Sequence, residues 1–135
     1  MSADAFLDTN ILIYALAQDD ARTPVAERLL SQGGVISVQV LNEFAAVARR
    51  KLNLSWPDTT AALEAVRALC EPPLPLTLEL HAAALAIAQR DNCSLYDALI
   101  VAAALHGGCD VLYSEDLQDG RVFDGRLTVR NPFKG

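Results

Sequence analysis

Ala5-Phe6-Leu7-Asp8-Thr9-Asn10-Ile11-Leu12-Ile13-Tyr14-Ala15-Leu16 joins two hydrophobic patterns across a single acid. Ala5 to Leu7 is a continuous apolar run. After Asp8, the apolar residues Ile11, Leu12, Tyr14, Ala15 and Leu16 recur with helical spacing. The stretch therefore reads as a buried strand feeding a helix. In open α/β sheets, ligands gather at the carboxyl ends of strands, which is where Asp8 falls. Asp8, Thr9 and Asn10 are also all good helix caps. Asp8 is thus either a cap or a site residue that leaves capping to its neighbours.

The same alternation continues along the chain. Asp19-Asp20 close the first helix. Thr23-Pro24 opens a second, with Thr at the N-cap and Pro at the first helical position, and it ends near Gly33-Gly34. Residues 35–38 predict a second buried strand, followed by a helix through Leu41, Phe44, Ala48 and Leu52. After the break at Ser55-Trp56-Pro57-Asp58, a helix runs to Cys70. Pro72, Pro73 and Pro75 then interrupt the chain, with a short strand expected over 74–78. Residues 79–92 form an amphipathic helix, and Ser94 opens a very apolar one that ends at His106-Gly107-Gly108. Asp110 to Ser114 is a third strong strand. Leu127 to Val129 is the last, after turn signals at Asp119-Gly120 and Asp124-Gly125. Continuous apolar strands alternating with helices predict an α/β protein with a mostly parallel sheet covered on both faces. With 135 residues, no repeats and no linker-like stretch, a single domain over 1–135 is expected.

The net charge of −6 argues against generic nucleic-acid binding. The cations cluster, however: Arg49, Arg50 and Lys51 form one run, and Arg121, Arg126, Arg130 and Lys134 make the tail basic. Three cysteines without a C-x-x-C spacing, and two isolated histidines, predict reduced thiols rather than disulfides or zinc. The N-terminus has Asp4 and Asp8 and no cation before Arg22, unlike a secretory signal. The longest apolar stretch, 98–105, is too short to span a bilayer. A soluble cytoplasmic protein with no membrane association is the expectation.

Four acids sit beside apolar segments: Asp8; Glu43 in Leu41-Asn42-Glu43-Phe44; Asp97 in Leu95-Tyr96-Asp97-Ala98-Leu99-Ile100; and Asp116 in Tyr113-Ser114-Glu115-Asp116-Leu117. Such placements are unfavourable unless something positive meets the charge. Oxygen-only ligand sets select hard cations such as Mg²⁺ or Mn²⁺. Each acid has a plainer reading as well. Glu43 borders the apolar stripe of its helix and could pair with Arg49 or Lys51. Ser94-x-x-Asp97 resembles a capping box. Asp116 could belong to a turn, with Asp119 or Glu115 as secondary acids.

These four segments, in order and spacing, resemble the PIN-domain family, and within it the VapC-type toxin ribonucleases of bacterial toxin–antitoxin pairs. The resemblance implies a three-layer α/β/α fold with a central, mostly parallel sheet of four to five strands. It implies that Asp8, Glu43, Asp97 and Asp116 are the catalytic, metal-binding acids for Mg²⁺ or Mn²⁺. Thr9 and Ser114 would be polar supports, and Asn10 would tie the first loop together. Glu115 departs from the family pattern, because the residue before the fourth acid is often neutral or basic. Asp116, Asp119 and Glu115 therefore all stay open as the fourth ligand.

The activity implied is endoribonucleolytic hydrolysis of RNA that leaves 5′-phosphate and 3′-hydroxyl ends, in a protein paired with a cognate antitoxin and forming a homodimer. Arg49, Arg50, Lys51, Arg126 and Arg130 are candidate contacts to the RNA backbone. The competing readings are a non-catalytic PIN-like interaction module and a metal-dependent DNA nuclease or phosphatase. An aspartyl-phosphate phosphatase would want Asp-x-Asp, and Asp8-Thr9-Asn10 lacks the second Asp.

Overall fold

The computed structural model describes residues 5–19 and 21–134. Asp4 and Asp20, which entered the sequence reading, lie outside the described residues. The strands are β1 (Ala5–Leu7), β2 (Val111–Tyr113), β3 (Val122–Phe123) and β4 (Leu127–Arg130). The helices are α1 (Thr9–Leu16), α2 (Thr23–Ser31), α3 (Val38–Arg50), α4 (Trp56–Leu69), α5 (Leu78–Asp91) and α6 (Leu95–His106). The sheet order is β1-β2-β4-β3. β1 pairs parallel with β2, and β2 with β4; only β3 is antiparallel. The fold is the expected three-layer α/β/α arrangement.

The core explains which elements form. Phe6, Leu7, Leu112, Leu127 and Val129 are buried from the sheet, and Ile11, Leu12, Val40, Phe44 and Ala48 from the helices packed on it. In α6 every residue from Ala98 to Ala104 is buried. A helix that is apolar all round belongs inside, and here only its two ends approach the surface.

Residues 35–38 do not form a full strand. Val35 makes a single bridge beside Phe6, and Ser37 one beside Leu74. The run stops because the Ser37 hydroxyl accepts from the Val40 amide, so the helix begins at Val38. The strand expected over 74–78 likewise shrinks to Leu74. Prolines on both sides remove ladder donors, and Thr77 caps α5.

Thr23 is the first residue of α2 rather than its cap. Its hydroxyl donates back to the carbonyls of Tyr14 and Ala17, which ties α2 to the end of α1. β3 was not anticipated. Asp124 and Gly125 both take positive φ, +54° and +67°. Paired positive φ values suit the centre of a tight turn, closed by the Arg126 amide donating to the Phe123 carbonyl at 3.1 Å, so the Asp-Gly turn signal brings β3 back onto β4.

Candidate functional site

The register of the parallel sheet builds the site. Leu7 pairs with Tyr113, so the residues that follow, Asp8 and Ser114, emerge side by side at the carboxyl edge. The ladder extends through them: the Asp8 amide donates to the Tyr113 carbonyl and the Ser114 amide to that of Arg130, both at 3.0 Å. Asp8 is 4% exposed and Ser114 fully buried. The Ser114 hydroxyl donates to Asp8 Oδ2 at 2.7 Å, and the Thr9 amide to Oδ1 at 2.7 Å. Asp8 caps α1 through Oδ1, and its Oδ2 is held by Ser114 at the sheet edge. Ser114 Oγ also accepts from the amides of Asp116 and Leu117, and so folds the loop after β2 around itself.

Glu43 reaches the same edge from α3. Its Oε1 accepts from the Thr9 hydroxyl at 3.0 Å and its Oε2 from Gln39 Nε2 at 2.9 Å. It pairs with neither Arg49 nor Lys51. Gln39 is a buried polar residue one helical turn before Glu43, a position the motif reading did not single out. Asp97 lies half-buried in the first turn of α6. Half of the capping box forms, with the Asp97 amide donating to Ser94 Oγ at 3.1 Å. Among the described residues its carboxylate accepts no hydrogen bond.

An open cleft of about 780 Å³ lies over this edge, and Thr9, Asn10, Glu43 and Asp116 are among the residues that line it. Burial drives the Asp8 carboxyl up from near 3.8 to about 6. The hydrogen bonds from Ser114 and Thr9 pull it down, and the charges of Asp116 and Glu43 push it further up. Asp116 is exposed as a residue, yet partial loss of water raises its carboxyl, followed by the charges of Asp97 and Glu115. Asn10 and Lys51 work the other way. The four acids therefore share one electrostatic neighbourhood. Among the described residues, none of the four forms an ion pair.

As they stand, no three acids, histidines or cysteines among the described residues form a group ready to hold an ion. The donor chemistry nonetheless fits a divalent ion. The ligand set is all oxygen, and Asp8 is buried and forms no ion pair among the described residues.

The secondary acids are occupied elsewhere. Glu115 accepts from Tyr14 Oη and from Arg22 Nε, each at 2.7 Å. Burial works upward on it, but these two donors and the Arg22 charge outweigh it and lower its carboxyl. Arg22 also lies over the rings of Tyr14 and Phe133, closing a cluster that links α1, the start of α2 and the tail. Asp119 is exposed and accepts from the Asn131 amide at 2.8 Å, outside the cleft.

The Asn10 carboxamide is buried close to Asp116, near enough to pull that carboxyl down although it falls short of strict hydrogen-bond geometry. Asp8 and Ser114 make the hydrogen bonds that join the two loops.

The cations divide in the same way. Arg50 and Lys51 line the cleft. Arg49 donates to the Leu54 carbonyl and stacks over Trp56 at 4.3 Å. Arg126 donates to the Leu105 carbonyl and lines a separate, smaller hollow by α5 and α6. Arg130 is exposed at the end of β4, its carbonyl bonded to the Ser114 amide.

The family model of the PIN domain matches residues 5–121. The crystal structure of VapC20 from Mycobacterium tuberculosis, described as a sarcin-ricin loop cleaving toxin, is similar with a TM-score of 0.69. It is 23% identical, and the match covers 83% of this chain and 89% of that one. A toxin–antitoxin complex from Klebsiella pneumoniae is similar at TM-score 0.70 and 21% identity, over 95% of this chain and 97% of that one. VapBC2 from Rickettsia felis, bound to a DNA fragment from its promoter, is similar at TM-score 0.60 and 19% identity, over 83% and 87%. At these identities the likeness is one of fold. No curated protein matches the chain in sequence. With the family model spanning most of its length, and the acids of all four motifs in one electrostatic neighbourhood at the sheet edge, the chain belongs to the PIN-domain family.

Proposed function

We propose that the chain is a single-domain, Mg²⁺- or Mn²⁺-dependent endoribonuclease and the toxin of a toxin–antitoxin pair. The observation that carries this reading is Asp8. It is a buried carboxylate at the end of β1, raised to about 6, with Glu43 and Asp116 adding to its negative field and no ion pair to it among the described residues. Asp8, Glu43, Asp97 and Asp116 would hold the ion. Asp116 is the preferred fourth ligand, because both oxygens of Glu115 are already bonded. When bound, a divalent ion supplies an activated water and charge stabilisation at the phosphoryl group.

The protein's own parts do the rest. Ser114 and Thr9 fix the Asp8 carboxylate, Thr9 and Gln39 fix that of Glu43, and Arg50 and Lys51 face the cleft where a phosphate backbone would lie. An antitoxin partner is supported by the toxin–antitoxin complexes among the similar folds. Exposed Leu76, Leu78 and Leu85 offer apolar surface to a second copy in a homodimer. A cytoplasmic setting agrees with three cysteines that form no disulfide among the described residues.

The test uses purified chain on defined RNAs with Mg²⁺, Mn²⁺ or EDTA. Cleavage with either metal, stopped by EDTA and leaving 5′-phosphate ends, is expected; metal-independent cleavage refutes the reading. The rival is a non-catalytic PIN-like module. Thermal melts separate the two. Metal at tenfold over its dissociation constant should stabilise a metal-binding nuclease by about 1.4 kcal/mol, a shift of several degrees. A module without a site will not move.

The cations give a second expectation. Arg50→Ala should weaken RNA binding and reduce its salt slope by about one. Arg49→Ala should leave the slope unchanged, because its guanidinium already serves Leu54 and Trp56. Equal slopes for wild type and Arg50→Ala would remove Arg50 from the interface.

A further inference from the structure

Tyr96 stands out among the residues of the cleft. It is 64% exposed, a large aromatic ring left in water at the start of α6, immediately before Asp97. Among the described residues it makes no hydrogen bond, ring contact or cation contact. Its neighbours in the chain do not require it: Ser94 caps the helix, and the buried run begins only at Ala98. Stability therefore gives no reason for an aromatic residue here.

The surroundings supply one. Across the same cleft, Ile13, Ala46 and Val47 form an apolar wall, and Arg50 and Lys51 stand beside it. An aromatic face, an apolar wall and two cations next to the acids match the base and the phosphate of a nucleotide near the scissile bond. A base stacks on a ring or lies against apolar surface, and its phosphate meets a cation.

We propose that Tyr96 is a base-stacking platform and a specificity-determining residue of the cleft, seating an unpaired nucleobase beside the scissile phosphate. The proposal rests on the ribonuclease reading above. It adds that substrates must present a free base face, which a base inside an A-form duplex cannot do. Arg50 and Lys51 favour a nucleic acid over a protein segment as the occupant, because they bring phosphate-binding charge into the same hollow.

The test is binding of short unstructured oligoribonucleotides to the purified full chain. 2-Aminopurine is placed at each position in turn, and its fluorescence reports stacking directly. Wild type should quench the probe at one or two adjacent positions. Tyr96→Leu should abolish that quenching and weaken binding roughly tenfold, the usual effect of losing one base stack, with its melting temperature unchanged. Tyr96→Phe, which keeps the ring, should restore both. An abasic nucleotide at the quenched position should weaken binding to wild type but not to Tyr96→Leu.

Unchanged affinity and quenching in Tyr96→Leu overturn the proposal, as does an equal abasic effect in both proteins. A Tyr96→Leu variant that loses only antitoxin affinity assigns the ring to the protein partner and overturns it too. RNA that is bound in a Tyr96-dependent way but never cleaved would sink the ribonuclease reading and leave the platform standing.

Discussion

Asp8→Asn should lower metal-dependent RNA cleavage on the order of 10³-fold and, without divalent ions, make the folded chain more stable above pH 6. The loss of activity follows from removing the most buried of the four acids. An amide is a poor ligand for a hard cation, and several kcal/mol of transition-state stabilisation go with the metal. The gain in stability follows from proton linkage. In the folded chain Asp8 binds its proton more tightly than an ordinary carboxyl, about 6 against 3.8. Below both values the group is neutral folded or unfolded and contributes nothing. As pH rises through this window, the unfolded chain releases the proton first, so folding stability falls. Above about 6 the full penalty stands, about 3 kcal/mol for a group this buried.

Asn carries no charge and can still accept from the Thr9 amide, so the variant should recover about 1–3 kcal/mol of this at pH 7.5. Urea denaturation of both proteins in EDTA, at pH 4 and pH 7.5, measures it. The two stabilities should converge at the acid end. A variant less stable than wild type at pH 7.5 would mean that the Asp8 charge is not a burden on the apo fold. Metal should reverse the order by stabilising wild type alone.

Much of this site was visible in the sequence because strand ends and acids coincide there. Phe6-Leu7-Asp8 and Leu112-Tyr113-Ser114 read as apolar runs closing on polar residues, and the parallel register set their ends side by side. Glu43 was legible as an acid bordering the apolar stripe of its helix, and Asp97 as the one acid in an apolar helix. What could not be read was which polar groups satisfy one another across the fold. Arg49 and Arg50 are adjacent in sequence, but a helix turns about 100° per residue. One therefore stacks on Trp56 while the other lines the cleft.

Glu115 looked like a spare ligand until Tyr14 and Arg22, far away in sequence, claimed both of its oxygens. The hidden elements have local causes. β3 is two residues long, too short for any periodicity, and the Val35 run is cut by the cap that starts α3. Gln39 carried no acidic signal. Its position one turn before Glu43 on the same helix was the only clue to its role.

Ser114→Ala should be the most damaging single substitution for stability among the site residues. One hydroxyl makes three hydrogen bonds there, donating to Asp8 Oδ2 at 2.7 Å and accepting from the amides of Asp116 at 3.2 Å and Leu117 at 3.3 Å. The first is charge-assisted and fully buried, and the other two shape the loop that carries Asp116. Ala would remove the hydroxyl that supports the Asp8 carboxylate and leave the Leu117 amide without its acceptor. The expected loss is about 2–4 kcal/mol, or roughly 10 °C in melting temperature.

A double-mutant cycle with Asp8→Asn locates the effect. Without the charge at position 8, removing the hydroxyl should be less harmful, by about 1 kcal/mol or more. The same loss in both backgrounds would mean that Ser114 acts only through the loop. Activity carries an independent signature. The Ser114 hydrogen bond is the largest influence holding the Asp8 carboxyl down. In Ser114→Ala that carboxyl should rise above about 6, and the pH at which metal begins to support cleavage should rise with it. An unmoved pH profile alongside a lowered melting temperature would reduce Ser114 to scaffolding and leave Asp8 to be held by Thr9 alone.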